Sequence, residues 1–257
     1  LYLPKFLDFT DPNNPTPYVY PPVFGNIDGT DSTYAPVYDT DSTSATYGQI
    51  IGSMPFNIPN NLGYSNNINM AFNLGGAIAD ISWLEAGDVP MVSFHCEKDP
   101  YAPIDTGDVI VPTTGDFVVE VMGSRTVQVM QNTYNNNPYG AWDWISDPIT
   151  TAANTNNGGY DGLYVFKTPA PSTTPNLYGQ FDEEQGSPWD WWDLAAYDTM
   201  WMHSPTTPVP ALIPGFGSAN SILGNPDMSA TKGNLYLDTI QGYLNPRMYL
   251  TLGLGTA

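Results

Sequence analysis

The stretch Asp88-Val89-Pro90-Met91-Val92-Ser93-Phe94-His95-Cys96-Glu97-Lys98-Asp99 decides the fold class. Val89 to Phe94 is a compact apolar run, bounded by Asp88 and by the polar residues after it, as in a central strand buried on both faces. Upstream, Ile68, Met70, Phe72 and Leu74 alternate as in a strand with one buried face, and Gly75-Gly76 ends it. Ile78 to Glu85 reads as a short helix or turn, and Gly162 to Phe166 as a strand. Asp116–Met122 and Thr126–Met130 are apolar runs that periodicity leaves open between strand and helix. Trp189, Trp191, Trp192, Tyr197 and Trp201 fall on an expected helix over 189–202. Ser229 can cap a helix from Ala230 to about Tyr243, with Tyr236, Ile240, Tyr243 and Leu244 as its apolar face and Asn245-Pro246 as its end. The alternation of Leu250, Leu252 and Leu254 predicts a last strand or an edge segment that pairs with a neighbour. Strands alternating with helices predict a mostly parallel α/β sheet flanked by helices; an all-β sandwich is the alternative.

Two regions follow from this reading. Residues 1–64 are expected to be irregular, with Leu1–Phe9 as the tail of an upstream helix and turn signals at Asp11-Pro12-Asn13-Asn14-Pro15 and Pro21-Pro22. Residues 65–257 form the α/β part, with a long surface insertion at about 131–186, where Asn, Gly, Thr and Tyr dominate. Thr-Asp-Ser-Thr occurs at 30–33 and again at 40–43, too short a repeat for a solenoid.

Composition narrows the function classes. Only 12% of residues are charged, about half the usual share, yet 26 acids face 6 bases for a net charge of −20. Phosphates and anionic membranes are repelled by such a chain, which argues against nucleic acid as a partner. Disorder is disfavoured by 7 Trp, 17 Tyr and 10 Phe. No stretch approaches the ~20 apolar residues of a membrane-spanning helix. Cys96 is the single cysteine, so no internal disulfide forms. The Asn-, Thr- and Tyr-rich, Lys-poor composition predicts an extracellular protein. The chain opens at Leu1 without Met or a signal peptide, which leads to the expectation that it begins inside a longer precursor.

The segment Asn73-Leu-Gly-Gly-Ala-Ile-Ala-Asp80, continued through Trp83 and Asp88-Val-Pro90 to His95-Cys-Glu-Lys-Asp99-Pro-Tyr-Ala-Pro103, resembles secreted bacterial α/β-hydrolases of the carboxylesterase type. In that family a strand ending in Gly-Ala leads to an Asp-Val-Pro strand that closes on His-Gly-x-x-Asp-x-x-Val-Pro. Ser187-Pro-Trp-Asp-Trp-Trp-Asp193 and Gly224 to Tyr243 also resemble the family's last helices. The likeness covers residues 65–130 and 186–250. It implies that Asp99 is the acid of a catalytic triad, holding a histidine in the right tautomer. The physical reading agrees, because a carboxylate just past the C-terminal end of a central strand sits where open α/β sheets place their sites.

The departures from the family are specific. No Gly-x-Ser-x-Gly elbow is present; Gly63-Tyr-Ser65-Asn-Asn67 and Gly217-Ser-Ala-Asn-Ser221 both fail at the glycines. His203 is the one histidine after Asp99, and it falls beyond the Trp-rich segment, later than the family pattern places it. His95 reads as a structural histidine, and Cys96 replaces the motif glycine as a small buried filler. Asp28, Asp31, Asp39 and Asp41 are candidate Ca²⁺ ligands in an acidic chain, although their spacing is not that of an EF-hand. Asp31-Ser32-Thr33 and Asp41-Ser42-Thr43 resemble an O-glycosylation signal of some secreted bacterial proteins. The expectation is therefore an extracellular hydrolase-like chain, non-catalytic by itself, with a binding or assembly role. The alternative is the C-terminal part of a split or processed carboxylesterase whose serine lies upstream. An incomplete sheet implies as partner a missing N-terminal half or copies of the chain itself.

Overall fold

A computed structural model describes residues 7–8, 11–17, 21–25, 29–59, 63–65, 67–110, 116–142, 145–167, 185–203, 215, 218, 222 and 224–255. The chain divides into two compact units, Leu1–Ile68 and Asn69–Ala257.

The first unit is more regular than its sequence suggests. Strand β1 (Leu7–Asp8) pairs antiparallel with β2 (Thr16–Pro17), so the expected helix tail does not include Leu7 and Asp8. The carboxylate of Asp11 turns the chain between them by accepting the Asn13 N–H at 3.0 Å. After the short helix α1 (Pro21–Phe24) come β3 (Thr33–Tyr38) and β4 (Ile50–Asn57), a two-stranded antiparallel ribbon inside the region expected to be irregular. Pro36 and Pro55 argue against strands when read from sequence. The register opposes Pro36 to Ser53 and Tyr34 to Pro55. A proline cannot exchange two N–H···O bonds, so these are the non-hydrogen-bonded pairs, and both prolines turn their nitrogens to the outer edges. Asn57 ties α1 to the ribbon, donating from Nδ2 to Phe24 O at 2.9 Å, and Phe24 meets Phe56 edge-on at 6.2 Å.

The second unit mixes helices and strands around a parallel sheet, so an all-β sandwich does not describe it. In chain order it holds β5 (Ala71–Leu74), β6 (Ala77–Ile78), β7 (Met91–Cys96), β8 (Thr106–Ile110), β9 (Phe117–Gly123), α2 (Ser124–Thr133), α3 (Pro148–Asn156), β10 (Leu163–Phe166), α4 (Leu194–Met202) and α5 (Ala230–Thr251). The parallel sheet has the order β10-β7-β5, with Leu163 opposite Ser93 and Ala71 opposite Met91. β7 is central, as its apolar run predicts, and Val92 through Cys96 are all buried. A second sheet, β6-β9-β8, is antiparallel. The two ambiguous apolar runs resolve as strand β9 and helix α2. Ile81–Trp83 is a 3₁₀ turn capped by Asp80, whose carboxylate accepts the Ser82 N–H at 2.8 Å.

Two faces of β7 do different work. Val92, Phe94 and Cys96 join Tyr139, Ala153, Phe166, Trp189, Ile240 and Tyr243 in the main core. Burying side chains of this size stabilises by roughly 1.5–3 kcal/mol each. Ser93 and His95 face the other way. Gln128 of α2 donates from Nε2 to Ser93 Oγ at 2.9 Å and to Met91 O at 3.1 Å.

The 131–186 stretch corrects the expectation of a surface insertion where it is described. Asp147 caps α3 by accepting the Ile149 and Thr150 N–H groups, with Pro148 in the first turn. Asn136, Tyr139, Ala153 and Asn157 are buried. The asparagines satisfy buried backbone: Asn136 Oδ1 accepts the Gly87 N–H, and Asn137 Oδ1 accepts the Met91 N–H at 2.9 Å. Residues 168–184 lie outside the described residues.

The tail differs too. α5 passes through Pro246 to Thr251, so Leu250 is helical and Leu252 caps the helix; no donor strand forms at Leu250–Leu254. Arg247, next to the proline, is buried against the same helix. Its Nη1 donates to Tyr243 O at 2.7 Å, and its guanidinium lies 3.5 Å from the Tyr243 ring centroid. The expected Trp helix starts only at Leu194, after Trp189, Trp191 and Trp192; Trp189 is core and Trp191 is exposed. Among the described residues no helix is long and apolar enough to cross a membrane.

Candidate functional site

The site expected at the C-terminal ends of β5 and β7 is a closed polar cluster around Asp99. β7 delivers His95 on the face opposite the aromatic core. The turn after Cys96 brings Asp99 back beneath it, where Asp99 Oδ1 accepts the N–H groups of Tyr101 at 2.8 Å and Ala102 at 3.0 Å. The 99–103 turn is pinned in place from α2, because Arg125 N–H donates to Ile104 O at 2.9 Å. Gly123 is required there: a Cβ on it would meet Pro103 O at 1.8 Å.

His95 makes two hydrogen bonds of opposite sense. Its Nε2 lies 2.8 Å from Ala102 O, which only accepts, so Nε2 carries the proton. Nδ1 is then the acceptor, and the Ser124 hydroxyl donates to it at 2.7 Å. Asn73 completes the ring, donating from Nδ2 to Ser124 Oγ at 3.1 Å and to Gly76 O at 3.0 Å. Asp99 Oδ2 stands 3.6 Å from His95 Nε2. Burial, the largest influence, lowers the His95 pKa, opposed by the Ala102 carbonyl and by the Asp99 charge. The imidazole is therefore neutral, and its contact with Asp99 is polar rather than an ion pair. Burial likewise raises the Asp99 carboxyl pKa, outweighing the two N–H donors and the histidine.

Ser124, His95 and Asp99 thus carry the residue types of a hydrolytic triad in the wrong order. The serine faces Nδ1 and the carboxylate faces Nε2, the reverse of the arrangement in which Nε2 takes the nucleophile's proton. Ser124 is fully buried, and Asp99 shows only 3% of its side chain. The roof over Asp99 is backbone: a Cβ on Gly186 would lie 3.2 Å from Asp99 Oδ1, and one on Gly75 would lie 3.6 Å from Asp99 Oδ2. Gly186 and Ser187 are fixed by donating their N–H groups to Gly224 O at 2.8 and 2.9 Å.

The other expected residues lie elsewhere. His203 caps the C-terminus of α4 and is exposed, with Nδ1 2.7 Å from Thr199 O of its own helix. Cys96 is buried in the core, and desolvation pushes its thiol up to about 12, so it is no nucleophile at neutral pH. Asp39 and Asp41 organise the β3–β4 loop. Asp39 Oδ2 accepts the Thr46 hydroxyl at 2.6 Å, and Asp41 Oδ1 accepts the Thr43 N–H at 2.9 Å and hydroxyl at 2.7 Å. The loop's own donors thus orient both carboxylates. Asp31 is described just before β3, and Asp28 lies outside the described residues. Among the described residues no three His, Cys, Asp or Glu side chains gather as metal ligands.

Sequence reasoning missed Ser124 and Gly186. Ser124 follows Gly123 at a strand-to-helix junction, which is a weak signal; nothing in the sequence links it to His95, 29 positions away. No family model matches the chain, and no curated protein or solved structure does.

Proposed function

We propose that this chain is an extracellular α/β-hydrolase-like protein that acts by binding and assembly and does not hydrolyse esters by itself. The observation that carries the reading is the roof over Asp99. The carboxylate that the family resemblance makes a triad acid is closed in by Gly75 and Gly186, and one of its oxygens holds the 99–102 turn. A triad acid acts through a histidine that reaches the substrate, and the histidine beside Asp99 is His95, whose two nitrogens are committed to Ala102 O and to the fully buried Ser124 hydroxyl.

The split-carboxylesterase reading draws on one feature. Among the described residues no strand pairs with the outer edge of β5, the border at which a further parallel strand would add. Turnover of p-nitrophenyl acetate separates the two. The expected result is no saturable hydrolysis by the chain, with Asp99→Asn indistinguishable from the parent. Saturable turnover abolished by Asp99→Asn would overturn the non-catalytic reading.

A further inference from the structure

The β3–β4 ribbon carries exposed apolar side chains along its length. Cross-strand partners share a face of a ribbon, so the register places Tyr34, Pro36 and Tyr38 beside Pro55, Ser53 and Ile50. All six are exposed, Tyr34 by 60%, Tyr38 by 52% and Ile50 by 62%; on the opposite face Ala35 and Val37 of β3 are half-buried, while Met54 of β4 is exposed by 55%. An isolated two-stranded ribbon is at best marginally stable in water. An apolar open face on such a ribbon marks an interaction surface.

We propose that two copies of this chain pair through that face. Three observations select a second copy. First, the charge: the molecule carries −20, so like copies repel over most of their surface. The ribbon escapes that repulsion locally, since neither Thr33–Tyr38 nor the run from Ser42 to Ala79 contains any Asp, Glu, Lys, Arg or His. Asp31, Asp39 and Asp41 lie outside both runs. Second, the edges: Pro36 and Pro55 each remove an outward N–H, which blocks addition of a third strand and leaves face-to-face packing as the mode of contact. Third, the area: the six side chains expose roughly 600 Å² per copy, or roughly 1,200 Å² for a symmetric pair, the low end of specific interfaces. A weak, concentration-dependent dimer follows, with Kd on the order of micromolar.

The proposal deepens the assembly reading and rests on it, but the two fail separately. Light scattering coupled to size exclusion is run on the full chain from ~1 to ~100 μM, in the affinity range that such an area supports. The expected mass rises from 28.0 kDa toward twice that value. Ile50→Asp and Ile50→Lys change the net charge in opposite directions, so a general electrostatic effect moves them apart. A buried face moves them together, and each is expected to weaken dimerisation by ~10-fold or more, as loss of an interface anchor does. Tyr38→Lys repeats the test at a second exposed position. Phe117→Asp, at an exposed apolar residue of the other unit, is expected to leave the dimer unchanged. A monomer at every concentration overturns the proposal, as does a dimer indifferent to all three ribbon variants. The second outcome leaves the assembly reading standing, with its surface elsewhere. Esterase turnover by a ribbon-dependent dimer would instead sink the non-catalytic reading and keep the interface.

Discussion

His95 is a neutral imidazole whose two nitrogens are both committed, Nε2–H to Ala102 O and Nδ1 to the Ser124 hydroxyl. A buried neutral histidine makes stability depend on pH. Burial lowers its folded pKa below 6.5, so below that pH the unfolded chain binds a proton that the folded chain does not. Stability therefore falls as pH drops from about 6.5, by up to about 1.4 kcal/mol per pH unit. Asp99 acts with the opposite sign. Its raised pKa lets the folded state bind a proton before the unfolded state does, so its contribution grows as pH falls toward 3.8. The expected melting curve declines below pH 6.5 and then flattens. In His95→Gln the first decline disappears; a decline of the same size in that variant would place the titrating group elsewhere. The place of His95 at the end of a buried strand was legible from the sequence. Its partners were not, because Ser124 and Asn73 reach it only through the packing of α2 and β5 against β7.

At the scale of elements, α5 shows how a local signal is overruled. Pro246 has no N–H and removes one bond from the helix ladder. The helix nonetheless continues, with Arg247 packed between Tyr139, whose ring centroid is 5.7 Å away, and Tyr243, to whose carbonyl it donates. Burial lowers the Arg247 pKa, while the two tyrosines oppose that shift. Arg247→Ala should cost about 2–4 kcal/mol, from a lost cation–π contact, a hydrogen bond to a charged group and the packed stem. Urea denaturation measures this, and a loss under ~0.5 kcal/mol, the size of an ordinary surface change, would show that Arg247 does not hold the helix past its proline. β3 and β4 make the same point. A proline disfavours a strand interior, yet a two-stranded ribbon has two outer edges, and each proline lies on one.

For the whole molecule the dominant fact is charge. With 26 acids and 6 bases the compact state repels itself, and added salt screens that repulsion. Melting temperature is expected to rise between low salt and ~0.5 M NaCl, as the Debye length falls below the spacing of surface charges. CaCl₂ at equal ionic strength should raise it by the same amount if the bonds of Asp39 to Thr46 and of Asp41 to Thr43 take the place of a cation. A clear excess from Ca²⁺ would mean that a cation site exists and that it uses other carboxylates.

The sequence by itself determined the mixed helix and strand class, the central strand at β7, the strand at β10 and the capped start of α5. Each of these is written in a local pattern: an unbroken apolar run, a short apolar strand after glycine, a serine before a helical period. Net charge is also a property of composition alone. Only the tertiary structure decided the rest. It paired β3 with β4 despite two prolines, folded an asparagine-rich stretch into buried backbone contacts, and carried α5 past Pro246. It also set Gly186 over Asp99 and Ser124 against His95. These outcomes depend on groups brought together from distant parts of the chain, and a hydrogen bond or a close backbone approach between distant residues leaves no periodic trace in either segment.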